Sequence, residues 1–319
     1  MKVILPMNRF SKAVSVAIIT LAISSFAGFA ESGNSKSVSQ LIDTLAKDPN
    51  EHARIKAVLL LGETGDAEAD AALVRSILTD SSYRVRVTSL RVRSEIFQQI
   101  VTKLYQEQDS GLRSAAETKE KISDLRKQHS ASLKELFRSS YKYNCNYSNE
   151  VKAMAARSFY LSEDAEILPL AIEELKKNCA LSFAERMERE SPRTQLRGDV
   201  LILRLQHLIA SYGKTAVPLI EKEYRMAQKG DYKCSLLIIL NKISQKLEYS
   251  KDAAKYVPVH KFDPNLLPQC EECLLVTQGP GIKQELVDIM RVYGYVPASA
   301  EAQKIMNGLS EEKDTNIKY

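Results

Sequence analysis

From Val38 onward, apolar residues recur at intervals of three and four and are interrupted by short polar turns. That combination constrains the fold more than any other feature of the chain. Val38, Leu41, Ile42 and Leu45 form one such run; Ile55, Val58, Leu59 and Leu61 form a second; Leu73, Ile77 and Leu78 a third. Each keeps the helical period. Asp48-Pro49-Asn50 and Gly62-Glu63-Thr64-Gly65-Asp66 separate them, and loops of about four to six residues suit antiparallel helix pairs. A single pair cannot bury its apolar stripe, so about three or more must stack to make a core. The length leaves room for about five or six. The 12 Gly and 10 Pro make up about 7% of the 319 residues, below the usual ~12% for the two together. A many-turned β sandwich or barrel is therefore disfavoured. A hydrophobic fraction of 44% is too high for wholesale disorder.

The run Asp48 to Asp80 has a repeat-like layout. Asp48-Pro49 opens a turn, Arg54 and Ala57 come early in the following helix, and Leu61-Gly62 closes it. Gly65-Asp66 starts the next helix, whose Leu73 and Leu78 face the core, and Arg84-Val85-Arg86 repeats the basic opening after Asp80. Lys152 to Leu175 echoes Lys56 to Leu78, with Asp164 standing 98 residues after Asp66, about three periods of ~33. Gly213 to Ile220 gives a fainter echo. These residues resemble the HEAT-like repeats of the kind first described in phycobilisome lyases, most clearly over 38–91 and more weakly over 150–250. The resemblance implies an all-α, right-handed α-solenoid of stacked antiparallel helix pairs. It makes Asp48, Arg54, Gly62, Asp66, Asp80 and Arg86 structural repeat positions.

Residues 1–30 read as a secretory signal peptide. Lys2, Arg9 and Lys12 form a basic start, Ala13 to Phe29 is apolar, and Gly28-Phe29-Ala30 supplies small residues at a cleavage point. Removing three basic residues and no acids takes the formal charge from +5 to about +2. A surface so nearly balanced has no general pull toward nucleic acid or anionic lipid. An exported, periplasmic or extracellular protein is expected, with no stable membrane insertion after cleavage. Residues 31–37 read as a flexible leader, 38–262 as the repeat array, 263–309 as an irregular C-terminal helical cap, and 310–319 as a frayed tail. Within the array, 82–105 and 112–143 read as longer helices, the second a solvated helix in preference to a protruding hairpin. From Asp263 onward the repeat is expected to lapse, with Pro264, Pro268, Gly279, Pro280 and Pro297 breaking the stretch into short helices, Ile282 to Tyr293 the clearest.

Candidate chemistry is sparse. On a helical wheel Arg84 and Arg91 fall on one side and Arg86 and Arg93 among the apolar residues. The second pair is expected to lie against a neighbouring repeat, held by carboxylates such as Asp80 or by helix-end carbonyls. Cys270-Glu271-Glu272-Cys273 lacks the strand-to-helix setting of a redox motif, and a local disulfide or two packed thiols is expected there. Cys145 and Cys179 lie 34 residues apart, which allows a bridge between adjacent units. His207 sits in the apolar run Val200 to Ile209 and reads as a core histidine. Glu185, Glu188 and Glu190 alternate with Arg186, Arg189 and Arg193 and read as a solvated helix. Tyr141, Tyr143 and Tyr147 cluster around Cys145. No catalytic, cofactor-binding or metal-binding set is assigned, and no cofactor is expected.

The reading these features support is an exported scaffold that binds a protein or peptide partner through a concave face of second helices, without nucleic acid. The alternative is an enzyme or enzyme accessory, either lyase-type or an inhibitor or protector of an envelope enzyme.

Overall fold

The computed structural model describes residues 36–138, 147–159, 164–192, 198–250 and 255–316. The fold is all-α. Its helices are α1 (Val38–Lys47), α2 (Glu51–Thr64), α3 (Ala67–Thr79), α4 (Tyr83–Asp109), α5 (Ala115–Arg138), α6 (Ser148–Phe159) and α7 (Ile167–Cys179). They continue with α8 (Phe183–Glu188), α9 (Val200–Ser211), α10 (Val217–Met226), α11 (Asp231–Ser244), α12 (Leu267–Val276), α13 (Pro280–Val292) and α14 (Ala300–Asn316).

The helices pair and stack in chain order. α1 with α2, α3 with α4, α5 with α6, α7 with α9, α10 with α11, and α12 with α13 each form a packed pair. The second members make one row, α2, α4, α6, α9, α11 and α13, in which each touches the next. The first members α1, α3, α5 and α7 make a parallel series of contacts, and α14 closes on α12. Local chemistry fixes where the helices start. Ser37 and Gln40 form a capping box at α1, Asn50 caps α2, Asp66 caps α3 and Ser82 caps α4. Gly65 leaves α2 in the left-handed region at φ 65°, where an L side chain would be strained.

Burial follows the stacking. Leu41, Leu45, Val58, Leu61, Leu73 and Val85 close one apolar cluster over the first four helices. A second begins with Ile77 and Leu90 on α3 and α4 and runs through to Ala302 on α14. Because α3 and α4 feed both clusters, the apolar seam passes from unit to unit.

The structure departs from expectation in three places. Helix α5 is the first member of the third pair, packed on α4, α6 and α7. Beyond residue 263 the repeat does not lapse into a cap: α12 and α13 form a further pair against α11. The stretch is divided into short helices as expected, and the prolines stand at their starts: Pro264 opens the 3-10 turn Pro264–Leu266, and Pro268 and Pro280 sit in the first turns of α12 and α13, where the missing N–H costs nothing. Two strands, β1 (Leu247–Ser250) and β2 (Lys255–Pro258), pair antiparallel with Leu247 opposite Pro258 and Tyr249 opposite Tyr256. At four residues each they are too short to impose a readable alternation on the sequence. No helix among the described residues is long and apolar enough to cross a membrane. The signal-peptide segment, Tyr141, Tyr143 and Cys145 lie outside the described residues.

Candidate functional site

The repeat-position residues hold units to one another. Arg54, in the first turns of α2, donates from Nε and Nη2 to both oxygens of Asp80 at 2.9 and 3.0 Å, and from Nη1 to the carbonyl of Asp48 at 2.9 Å. Asp80 ends α3 and also accepts from the Ser82 amide at 2.7 Å. Asp48, Arg54 and Asp80 thus meet at one junction, with the two ion-pair side chains 11% and 7% exposed. Asp66 caps α3 by accepting from the Glu68 amide at 2.6 Å. At Gly62 a Cβ would run into Val92 Cγ1, so the absence of a side chain lets α2 and α4 approach. Arg86 is buried and donates to the Ile77 carbonyl at 2.7 Å.

On α4 the four arginines divide between core and solvent. Arg84 and Arg91 are 52% and 54% exposed. Arg93 is buried, with Nε donating to Asp70 at 2.8 Å and Nη1 to the His129 carbonyl at 3.4 Å. They make no common patch.

The cysteines pair across helices. Cys234 on α11 is bonded to Cys273 on α12, 39 residues on, with a Cα–Cα separation of 5.4 Å. The local Cys270–Cys273 bridge does not form. Both residues lie on one helix at a spacing of three, where Cβ atoms stand ~5–6 Å apart against the ~3.5–4.5 Å a disulfide needs. Cys270 is a buried free thiol, and Cys179 is also free, with Sγ 3.7 Å from Ser235 Oγ. The Cys145–Cys179 bridge is therefore not present on the Cys179 side. Burial pushes both free thiols up to about 12, so neither is a ready nucleophile at neutral pH.

The charged run around Arg186 is solvated only in part: Glu185 and Glu188 are exposed, Arg186 and Glu190 are buried, and Arg193 lies outside the described residues. Arg186 is 1% exposed and donates to the carbonyls of Gly198 and Leu181 at 2.8 and 2.9 Å and to Asp231 at 2.7 Å. Its Nη2 also lies 3.6 Å from the fully buried Asp199. Asp199 is pushed up to about 6 by burial, against the pull of Arg186 and the amides of Gly281 and Ile282. Glu190, buried on the same side, is pushed up to about 7 by burial, against hydrogen bonds that include the Gly198 amide. Charges whose partners come from later helices give no local signal in the sequence. At Gly198, Gly279 and Gly281 a Cβ would run into Phe183, Asp199 or Leu203, so the close approach leaves its trace in the sequence as glycine.

The solvent side of the second row carries a set of polar side chains. On α9, Arg204 and His207 are exposed, three residues apart on one stripe. His207 is thus at the surface, beside Lys242 Nζ at 3.5 Å, and not in the core as its apolar neighbours suggested. Lys242, on α11, reaches on to Glu285 of α13 at 2.7 Å. Partial burial, then the positive charges of Lys242 and Arg204, hold His207 below the ordinary imidazole range in spite of Glu285. Three consecutive row helices therefore share one polar, net positive stripe. Arg157 on α6 is also exposed, and among the described residues neither it nor Arg204 has a carboxylate partner.

Residues 15–92 match the family model of HEAT repeats. The match takes in α1 to α3 and the first part of α4, the stretch in which Arg54, Asp80, Gly62 and Arg86 join one unit to the next. A solved structure, the complex of CpcE and CpcF of phycocyanin lyase from Nostoc sp. PCC7120, aligns at 14% identity with a TM-score of 0.37, covering 87% of this chain and 95% of that one. No curated protein matches the chain.

Proposed function

We propose that the protein is an exported helical-repeat scaffold that binds a protein or peptide partner on the face formed by its second helices. The observation that carries this reading is the unbroken row α2, α4, α6, α9, α11 and α13 with a shared polar stripe at Arg204, His207, Lys242 and Glu285. Buried ion pairs such as Arg54–Asp80 and Arg186–Asp231 fix neighbouring units and keep that row rigid. A rigid row loses little conformational freedom on binding, which favours recognition by shape. Export rests on the segment 1–30, whose cleavage would leave Glu31 as the first residue.

Two measurements test the reading. N-terminal sequencing of protein recovered from the cell envelope should begin at Glu31; recovery only from the cytosol, with residues 1–30 attached, ends the export half. Affinity capture from the envelope should retain a partner on the wild type and lose it on a variant carrying Arg157→Glu and Arg204→Glu. Equal capture by both proteins would move the binding face elsewhere.

A further inference from the structure

The first row of helices carries a cleft of its own, away from the face proposed above. It has a volume of about 330 Å³ and opens between α1 and α3, with the Arg54–Asp80 junction at one end. One stretch of its wall is aliphatic, with Ile42, Leu45 and Ala46 from α1 and Ala72 from α3, and the rest is polar or charged. Three cations line it, and two are already engaged. Lys47 binds Asp43 at 2.8 Å, and Arg54 holds both oxygens of Asp80. The third, Arg75, is exposed and has no carboxylate partner among the described residues. An aliphatic slot beside an uncompensated guanidinium fits an apolar group attached to a carboxylate, because a planar guanidinium can take both oxygens at once.

We propose that this cleft binds the free C-terminus of a peptide chain ending in an aliphatic residue, with the α-carboxylate on Arg75 and the terminal side chain between Ile42, Leu45 and Ala72. The lining favours a peptide over a fatty acid. The cleft is open, and Thr79, Ser81 and Asp48 are among the residues that line it, with oxygens that can accept. Those acceptors suit peptide N–H groups, whereas an acyl chain would leave them facing hydrocarbon. Nothing in the proposal depends on the second-row face.

Fluorescence anisotropy of an N-terminally labelled hexapeptide ending in leucine tests it on the full protein. The free-acid peptide should bind, and the same peptide amidated at its C-terminus should bind at least about tenfold more weakly, the loss of one charge-assisted contact. Arg75→Ala should erase the difference between acid and amide. Ala46→Trp, at an exposed wall position, should block both peptides while helicity by circular dichroism stays unchanged. Palmitate should compete poorly. The proposal is overturned if the free-acid peptide does not bind, if acid and amide bind alike to the wild type, if Arg75→Ala leaves the preference intact, or if palmitate displaces the peptide at lower concentration than unlabelled peptide does.

Discussion

Asp199 caps the helix that carries Gly281, 82 residues further along the chain. Its Oδ2 accepts from the amides of Gly281 at 2.9 Å and Ile282 at 3.4 Å, at the start of α13. The fourth pair is thereby tied to the sixth through a single carboxylate, with Arg186 behind it. A Cβ at Gly279 would overlap that carboxylate, so the glycine and the aspartate form one device. Asp199→Ala removes a cap and strips a buried arginine of one anion, and should cost about 2–4 kcal/mol in urea unfolding. Gly279→Ala should cost a similar amount by displacing the carboxylate, and the double variant little more than either alone. A neutral Gly279→Ala would break the link.

Gly62 and Val92 pose a test of opposite signs. Alanine is the better helix former by ~1 kcal/mol. Yet a Cβ at position 62 would collide with Val92 Cγ1 across the α2–α4 contact. Overpacking should win, so Gly62→Ala should lower stability by about 1–3 kcal/mol. Adding Val92→Ala should recover part of the loss, which unfolding of the single and double variants measures directly. If Gly62→Ala alone stabilises, the two helices are further apart than described.

Arg54 and Asp80 form a bidentate pair with both side chains nearly out of solvent. Removing one partner strands the other, so Arg54→Ala should cost about 3–5 kcal/mol. Arg54→Lys keeps the charge but cannot span both oxygens and reach Asp48 as well, and should retain only part of the stability. A double-mutant cycle with Asp80→Asn gives the coupling. A cycle that closes to zero would show that the pair contributes nothing beyond its packing.

What the sequence reveals here is what short range encodes. The stacked helices are legible because apolar spacing and short turns are local properties, and the wheel on α4 separates Arg86 and Arg93 from Arg84 and Arg91 for the same reason. The Arg186 cluster is illegible because its partners, Asp199 and Asp231, lie on elements that meet it only after folding. Alternating charges at 185–193 look like a solvated helix until Gly198 and Asp231 cover one of them. His207 was recoverable: Arg204, His207 and Ser211 share a polar stripe that the apolar neighbours obscure. The short C-terminal helices are legible, Ile282 to Tyr293 above all, but their pairing is not, because it is made by packing on α11.

Cys234 and Cys273 close a loop with a sequence separation of 39 between α11 and α12. On the chain-entropy account such a crosslink is worth about 4 kcal/mol. Protein purified without reductant should give a Cys234–Cys273 peptide on non-reducing mapping, and Cys234→Ser should fall in stability by an amount of that order. Cys179 and Cys270 should stay unmodified by a thiol reagent at neutral pH until the chain unfolds. Rapid labelling of Cys270 in the native state, or a Cys270–Cys273 peptide, would contradict the arrangement.

His129 is stacked on Phe97 with ring centroids 4.8 Å apart, and its carbonyl accepts from Arg93 Nη1 at 3.4 Å. Burial, then the positive charge of Arg93, push it down to about 4 from the ordinary 6.5, against a smaller opposing pull from Asp70. Between those two values the unfolded chain holds a proton that the folded chain does not. The histidine's contribution is therefore complete above pH ~6.5 and fades as the pH falls toward 4, by on the order of 3 kcal/mol. Asp199 and Glu190 act in the other direction. Raised to about 6 and about 7, they keep protons that the unfolded chain has released, so their contribution shrinks as the pH climbs through the same window. The whole-protein profile mixes all three. The difference between wild type and His129→Gln, taken from urea titrations between pH 4 and pH 8, isolates the histidine. That difference should be flat above pH 6.5 and move steadily against the wild type below it. An imidazole that titrates at or above 6 by NMR would place His129 in water and remove the effect.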